Sequence, residues 1–340
     1  MASAGEPILW SLYVYAPNKG APIFFAIAYG ISAIFHIWQC TRYKAWKLMW
    51  LHSLCAVLFT AGYALREWGA YNYLYSRTDK TPLIGYIVSQ VLIYVCPPLL
   101  ELSNYHVLGR IFYYVPYCAP MPPNRVLATF GGLMAAVEAL NAVGVSLVAN
   151  PSGDSQSLGK SLTIAAISIQ VVVIVIFIAL AALFHVRFAR ARLGSRAVKT
   201  TLLVLYASMA LIFVRCIYRL VEHTGETEVD LNDIETLRRL SPLLRFEVYF
   251  YVFEATLMLL NSCLWNAWHP GRFLPRDYHV YLAEDGSEIE GEKMEDSRPL
   301  LAKTAHVLTF GILFRNKKKV LNHHSQELSE YPPRSSHSAV

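Results

Sequence analysis

The sequence predicts an all-α polytopic membrane protein, a bundle of seven transmembrane helices with its N-terminus outside and its C-terminus in the cytosol. Two observations predict the bundle. The chain of 340 residues is 55% apolar and only 16% charged. Its apolar residues gather in seven runs of about 20 residues, the length that crosses a bilayer. A third observation, the distribution of Lys and Arg, predicts the orientation.

The seven predicted spans follow one another along the chain. They cover residues 22–38, 48–65, 83–108, 126–148, 162–186, 200–221 and 246–265. Pro97 and Pro98 lie in the middle of the third span and predict a kink, because proline removes backbone donors. The fourth span is rich in glycine and alanine. Small residues let helices approach closely, so we expect this span to be central.

The orientation follows from the bases near the span ends. Connections 41–47, 110–126 and 187–199 carry ten Lys and Arg residues and no acidic residue, against seven bases on the opposite side. Cytosolic connections carry the excess of bases in membrane proteins. Residues 1–21 are therefore predicted to form an extracellular tail, residues 22–271 the transmembrane domain, and residues 272–340 a cytosolic, mostly disordered tail.

Two short features stand out in the predicted tail. Residues 305–314 are largely apolar and bases follow up to residue 319. Ten residues cannot span a bilayer, so an interfacial segment at 305–319 is one expectation and an unstructured tail the other. Asp296, Leu300 and Leu301 fit an acidic dileucine address that a sorting adaptor would bind. We expect the plasma membrane as the location, with a vacuolar or endosomal membrane as the alternative.

Ionisable side chains inside predicted spans indicate a functional site, because burying them in lipid costs on the order of 3 kcal/mol each. In both the sixth and the seventh span, three polar residues recur at i, i+4 and i+7 and so share one helix face. We expect Arg215 or Arg219 to pair with Glu254, which leaves the other groups for a ligand headgroup. The alternative is that such pairs only fix helix register. The candidate substrate-binding residues are Arg66, Gln90, Glu138, Asn141, Gln170, Arg215, Arg219, Glu222, Glu247, Tyr251 and Glu254.

Other polar residues of the spans are assigned structural roles. Glu101 and Asn104 are expected to be packing or snorkelling groups near the cytosolic end of the third span. The histidines are expected at different depths, and HExxH, a glycine-rich phosphate loop and a GxSxG elbow are absent from the sequence. The sequence therefore predicts no enzyme, no metal site and no cofactor. It predicts no nucleic-acid partner either, because the bases lie at the span ends, where lipid headgroups are found.

Several motifs occur together and in a fixed order. The most specific are VRCIYRLVE at 214–222 and Glu247 followed by YVFEA at 251–255. The others are YAP at 15–17, GYALR at 62–66, Gln90, Pro97, Tyr105, GR at 109–110, Gln170 and HPG at 269–271. On these motifs the chain resembles the fungal RTA-like family, the lipid-translocating exporters named for resistance to aminocholesterol. In the fourth span it departs from the family pattern of an acid, a glutamine and glycines, and carries Glu138, Asn141 and Gly144 instead.

The resemblance implies a seven-span fungal membrane protein linked to sphingoid long-chain base release, to sterol-analogue and azole resistance and, in some members, to porphyrin or haem handling. The expected function is thus a translocator of amphiphilic lipids or drugs that contributes to lipid homeostasis and stress or drug resistance. Its expected partners are membrane lipids and an amphiphilic small molecule. The alternative is a seven-helix lipid-sensing receptor or regulator that binds its ligand without moving it.

Overall fold

Long apolar runs become helices in this protein because a helix satisfies its own backbone donors and acceptors within lipid. The computed structural model describes residues 6–76, 78–148, 156–191, 194–225, 233–277, 280–283 and 286–290. The first helices are α1 (Ala21–Arg42), α2 (Trp46–Tyr71), α3 (Thr81–Tyr94), α4 (Cys96–Tyr114), α5 (Pro123–Val148), α6 (Gln156–Arg190) and α7 (Arg196–Thr224). A 3₁₀ turn, Pro116–Cys118, follows α4.

Shorter elements complete the described chain. They are α8 (Ile234–Arg239), α9 (Pro242–Arg245), α10 (Glu247–Phe250), a π-helical turn (Tyr251–Thr256), α11 (Leu257–Ala267), a 3₁₀ turn (Pro270–Arg272), β1 (Val280–Leu282) and β2 (Glu288–Glu290). The two strands pair antiparallel, with Tyr281 opposite Ile289. The Tyr114 hydroxyl donates to Glu288 Oε1 at 2.7 Å, which ties this hairpin to the end of α4.

Seven candidate spans are present among the described residues, and the protein is a multi-pass membrane protein. They comprise α1, α2, α3 with α4, α5, α6, α7, and the succession from α10 to the second 3₁₀ turn. The predicted fold class is confirmed. Most spans are longer than predicted because the helices continue beyond the apolar run; α2, for example, begins at Trp46 rather than residue 48. The orientation across the membrane stays a prediction.

The kink predicted at Pro97 and Pro98 is present as a break between α3 and α4. Helix α3 ends at Tyr94 and α4 begins at Cys96, so both prolines lie in the first turn of α4. Proline suits that position, because the first-turn N–H groups have no intrahelical partner. The Cys55 thiol donates to the Cys96 carbonyl at 3.6 Å, so a neighbouring helix reaches the backbone at the break.

The second span is the central one, and the expectation that the fourth would be central is wrong. In the most apolar part of the second span 56% of the residues are buried, compared with 28% in the most apolar part of the fourth span. Helix α2 packs against α1, α3 and α4, whereas α5 packs against α4 and α6. In α5 a Cβ on Gly144 would lie 2.9 Å from the Gly159 carbonyl oxygen of α6. The small residues of α5 thus allow one close helix contact at the edge of the bundle.

In the connection between the sixth and seventh spans, Leu231, Ile234, Leu237 and Leu240 recur at a spacing that predicts a short surface helix with these side chains on one side. Helix α8 is that helix, and Leu237 and Leu240 are buried against Val14 of the N-terminal segment. Leu231 lies outside the described residues, as do the segment 305–319 and the sorting residues Asp296, Leu300 and Leu301.

Candidate functional site

The best-buried ion pair of the described chain joins the sixth and seventh spans. Arg215 Nε of α7 donates to both carboxylate oxygens of Glu254, at 2.8 and 3.0 Å. The Arg215 side chain is 7% exposed and that of Glu254 is fully buried. The predicted alternative of pairing through Arg215 is therefore confirmed. A charge-assisted pair of this kind is among the strong hydrogen bonds, and it is what allows both groups to lie between apolar helices.

Arg219 does not pair with Glu254 but with Glu222 on its own helix, three residues along. Glu222 also accepts from the Tyr218 hydroxyl at 3.3 Å, and the Arg219 guanidinium lies 4.4 Å from the centre of the Tyr94 ring. Cation–π contact and ion pairing together compensate a cation that is withdrawn from water. The predicted polar face of α7 thus has two parts. Arg215 contacts Glu254 of the seventh span, whereas the charge of Arg219 is compensated by Glu222 on α7 and by the Tyr94 ring on α3.

Arg66 forms a second contact between spans, near the N-terminal segment. Its guanidinium donates to Glu247 Oε1 at 3.1 Å, to the Tyr251 hydroxyl at 3.3 Å and to the Tyr15 hydroxyl at 3.2 Å. It also lies 4.1 Å from the ring centre of Phe250. Burial raises the pKa of the Tyr15 hydroxyl well above its ordinary value, although the Arg66 charge opposes this. Tyr15 therefore stays protonated and accepts the hydrogen bond as a neutral phenol.

Glu247 also anchors the N-terminal segment. Its Oε2 accepts from the Asn18 backbone N–H at 2.7 Å. The Asn18 side chain in turn accepts from the N–H groups of Gly20 and Ala21, at 2.8 and 2.9 Å, where α1 begins. Such side-chain acceptance satisfies donors that have no intrahelical partner. The YAP motif and the seventh span are thus joined through one arginine and one glutamate.

The π-helical turn was not predicted, and it contains two candidate residues, Tyr251 and Glu254. The Thr256 hydroxyl donates to the Tyr251 carbonyl at 2.8 Å, and the Tyr29 hydroxyl donates to the Ala255 carbonyl at 2.9 Å. A π-turn widens the helix by one residue, and it often occurs at functional sites. Here it changes the direction in which Glu254 projects relative to a regular helix.

Glu101 belongs to the same buried region, and of its two expected roles, packing or snorkelling, the buried position excludes snorkelling. Its carboxylate is fully buried, accepts from the Tyr105 hydroxyl, and accepts from Gln170 Nε2 at 2.9 Å. Arg215 and Glu138 lie within electrostatic range of it. Gln170 was predicted to bind substrate, and in this structure its amide is engaged with Glu101. A carboxylate inside an apolar run was the sequence signal for Glu101.

Three further candidates lie at the margin of this region. Glu138 is half-buried on α5, and its side chain lies near that of Asn141. Gln90 of α3 is also half-buried, and its side chain makes no hydrogen bond within the described part of the chain. Asn104, by contrast, is buried and bonds to Ser208 at 2.8 Å, as expected for a packing group.

The ion pairs form one continuous polar and aromatic layer, which we call the paired-charge layer. It consists of Arg66, Glu247, Tyr251, Phe250, Tyr94, Arg219, Glu222, Arg215, Glu254, Glu101 and Gln170. Phe250 links the Arg66 contacts to the Arg219 contacts, because its ring lies on Arg66 and meets the Tyr94 ring edge-on with centres 6.5 Å apart. All of its formal charges except Glu101 have an opposite charge in contact.

The histidines do not all lie at different depths, contrary to the expectation. The His36 and His52 rings lie 5.5 Å apart, and the His52 ring lies 5.5 Å from the Trp265 ring. His36 Nε2 meets Ser262 Oγ at 3.1 Å, whereas neither nitrogen of His52 has a hydrogen-bond partner in the described chain. Within that part of the chain, no three His, Cys, Asp or Glu side chains are grouped so that they could hold a metal ion.

Comparison with known families decides to which family these motifs belong. The family model described as RTA1 like protein matches residues 52–277. The chain belongs to the RTA1-like family. The matched region contains all eleven predicted site residues, whereas the YAP motif lies before it.

Named relatives of this RTA1-like chain come from fungi. A lipid-translocating exporter-like protein RTA1 of Leptosphaeria maculans is 57% identical over 99% of the chain, and the alignment covers 66% of that relative, so the chain spans about two thirds of its length. A protein of the same name from Ajellomyces capsulatus is 33% identical over 69% of the chain and 74% of the relative. A probable lipid transporter, atnI, of Emericella nidulans is 23% identical over 78% of the chain and 68% of the relative. No solved structure matches the chain.

The RTA1-like motifs correspond to the contacts of the paired-charge layer. Arg215, Arg219 and Glu222 are the polar residues of VRCIYRLVE, Tyr251 and Glu254 are those of YVFEA, and GYALR ends in Arg66. Close helix packing also explains why GYALR carries a glycine, Gly62. A Cβ on Gly62 would lie 2.8 Å from Ile93 Cγ1, and the Gly62 carbonyl accepts from the Ser89 hydroxyl at 2.8 Å.

Proposed function

We propose that this protein translocates amphiphilic lipids across the membrane, with sphingoid long-chain bases as the representative substrate and sterol-like or drug molecules as further ones. The observation that carries the proposal is the Arg215–Glu254 pair, buried between two membrane spans and continuous with the rest of the paired-charge layer. The printed names of the relatives, lipid-translocating exporter and lipid transporter, support a lipid as the transported molecule.

The chemistry of the layer suits a cationic headgroup on an apolar chain. Glu254 and Glu247 are held by guanidinium groups, and an ammonium headgroup can take the place of a guanidinium as the charge partner. The hydrocarbon chain would meanwhile remain among the lipid-facing residues of the spans, such as Ile27 and Ile34 of α1, which are 59% and 69% exposed. Substrate entry would separate α7 from the seventh span, because the carboxylate of Glu254 is closed off when the pair is intact.

The decisive experiment follows a fluorescent sphingoid base between the leaflets of liposomes that contain the purified protein. We expect faster movement than in empty liposomes. A double variant, Arg215→Met with Glu254→Leu, should still fold but lose this acceleration. Glu235→Gln is the matched control, because the Arg238–Glu235 pair is 61% and 65% exposed and lies outside the layer. Equal rates with and without the wild-type protein would contradict translocation.

A lipid sensor is the second candidate, and the closed state of the layer favours it. Arg66, Arg215 and Arg219 each have a carboxylate in contact, so a ligand has to displace an internal partner. Displacement of that kind also switches a two-state receptor, since a ligand shifts an equilibrium by its differential affinity for the two states. Saturable binding of the sphingoid base without movement between leaflets would select this function.

The location and the partners belong to the same proposal. We place the protein in the plasma membrane, where a translocator controls the lipid composition of the cell surface. A vacuolar or endosomal location follows if a sorting adaptor binds Asp296, Leu300 and Leu301. Replacement of both leucines by alanine in a fluorescently tagged full chain distinguishes the two, because only adaptor-dependent sorting predicts an altered distribution.

A further inference from the structure

A basic groove lies at the membrane face where α1 ends, α2 begins and the seventh span ends. It is a shallow concavity that is open to solvent, not an enclosed cavity. Four of its lining side chains are cationic, namely Lys44, Lys47, Arg110 and Arg276, and none is acidic. Trp46 and Trp50, on the same end of α2, are 43% and 44% exposed. Exposed tryptophans concentrate at headgroup level, so the groove lies in the interfacial zone of the bilayer.

The backbone places Lys44 at the groove in an unusual way. Lys44 has φ +53°, and it follows the last residues of α1 at a position that favours glycine. The Lys44 N–H donates to the Thr41 carbonyl at 3.4 Å, and the Ala45 N–H donates to the Cys40 carbonyl at 3.0 Å. These two bonds define a Schellman motif, in which glycine costs least. The chain thus holds a long cation where the backbone alone would favour glycine.

Two other contacts hold the opposite wall in position. The Arg110 guanidinium donates to the Pro275 and Asp277 carbonyls, at 2.8 and 2.7 Å, so Arg276 between them is held beside the groove. A Cβ on Gly271 would lie 3.0 Å from the Ala45 and Tyr43 Cβ atoms, so the end of the seventh span packs directly on the turn after α1. Both walls are therefore built by tertiary contacts.

Three of the four cations that line the groove have no carboxylate in contact in the described part of the chain. Lys44, Lys47 and Arg276 are exposed, and none of them forms an ion pair with a described carboxylate. This differs from the paired-charge layer, where each arginine contacts a carboxylate. Three cations around one concavity, none of them paired with a described carboxylate, suit a phosphate monoester, which carries more than one negative charge and several acceptor oxygens.

We propose that this groove binds the phosphate-bearing headgroup of an anionic lipid from the adjacent leaflet. Basic pockets between transmembrane helices bind such headgroups, and each Lys or Arg near an anionic surface strengthens the attraction. With the predicted orientation, the groove faces the cytosolic leaflet, where anionic lipids are concentrated. The bound lipid would hold the turn after α1 against the end of the seventh span.

The test measures the thermal unfolding of the purified full chain in phosphatidylcholine nanodiscs, with and without phosphatidic acid or a phosphoinositide. We expect the anionic lipid to raise the melting temperature in a saturable way. The triple variant Lys44→Gly, Lys47→Gln, Arg276→Gln should weaken apparent lipid affinity about tenfold or more. Arg190→Gln, Arg196→Gln, Lys199→Gln is the matched control, because it removes the same charge from the same face outside the groove and should keep the affinity.

A single variant separates binding from folding. Lys44→Gly relieves the backbone strain, so the lipid-free protein should melt at the same or a higher temperature while its lipid affinity falls about fivefold. Equal loss in the groove and control variants, or no lipid-dependent shift, would overturn the proposal. The same saturable shift from inorganic phosphate or a soluble inositol phosphate would also overturn it, because the ligand would then be a free phosphate. Neither readout depends on lipid translocation.

Discussion

At the scale of single residues, the structure distinguishes a compensated glutamate from an uncompensated one. Glu254 contacts Arg215, whereas Glu101 accepts hydrogen bonds from Tyr105 and Gln170 and pairs with none of the described bases. A buried charge that loses its partner is costly, while a buried pair replaced as a whole by apolar residues is often neutral. The two glutamates should therefore respond to substitution in opposite ways.

Glu254→Leu should destabilise the protein strongly, because it leaves Arg215 buried without an anion. We expect a loss of about 3 kcal/mol in the free energy of unfolding, and recovery to within about 1 kcal/mol when Arg215→Met is added. Thermal unfolding of the purified variants in detergent measures both effects. The exposed control Glu235→Gln should change stability by less than about 1 kcal/mol. If the double variant is no more stable than Glu254→Leu, the pair does not act as a unit.

Glu101→Gln should be tolerated. The amide oxygen can still accept from Gln170, and the Tyr105 hydroxyl can reverse from donor to acceptor for the new amide N–H. The substitution also removes a buried carboxylate that has no cation in contact. We expect a melting temperature equal to or above that of the wild type. A loss as large as that of Glu254→Leu would instead mean that Glu101 has a charge partner in the working state.

At the scale of elements, the close contact between α2 and α3 depends on Gly62. Gly62→Ala would place a Cβ 2.8 Å from Ile93 Cγ1, so the two helices have to move apart. We expect a destabilisation of about 1–3 kcal/mol, the usual cost of overpacking. Gly132→Ala on α5 is the matched control, because no atom lies within 4 Å of its Cβ position and alanine favours a helix by about 0.5–1 kcal/mol. Thermal unfolding that ranks the two variants in reverse order would contradict this account.

The elements also mark the limit of what the sequence predicts. The apolar runs determine the spans, because their length alone satisfies the requirement for crossing a bilayer. The direction of a side chain around its helix depends on every backbone hydrogen bond before it. The π-helical turn at Tyr251–Thr256 changes that direction, and no residue type in YVFEAT requires such a turn. Spacing therefore predicted that the two polar faces meet, but it could not select Arg215 over Arg219.

Centrality was mispredicted for a related reason. The small residues of α5 indicate close helix contact, and Gly144 does make one with α6, but a close contact exists at the edge of a bundle as well as at its centre. The proximity of the His36, His52 and Trp265 rings escaped prediction because these residues come from α1, α2 and the seventh span. Contacts between such distant segments follow from the packing of whole helices, which a single sequence does not encode in any local pattern.

At the scale of the whole molecule, the predicted orientation of the chain across the membrane determines how the paired-charge layer and the basic groove are placed relative to the two leaflets. Lys and Arg residues lie in the connection between α1 and α2. More of them lie in the connections after α4 and α6, and Arg272 and Arg276 lie at and beyond the end of the seventh span, on the same side of the bundle. The positive-inside rule assigns that side to the cytosol. An epitope tag at the N-terminus should then be reached by antibody on intact cells, and one at the C-terminus only after permeabilisation.

Two controls make this topology test decisive. A cytosolic marker must stay unstained in the intact cells, and each tag must be stained after permeabilisation. The predicted result places Arg66, Glu247 and the N-terminal segment toward the outer leaflet, so that a substrate leaves the paired-charge layer on the side to which an exporter delivers. The reverse staining would place these residues toward the cytosol and the basic groove outside. Uptake would then be the direction that the charge arrangement favours, and the groove would face a leaflet poor in anionic lipid.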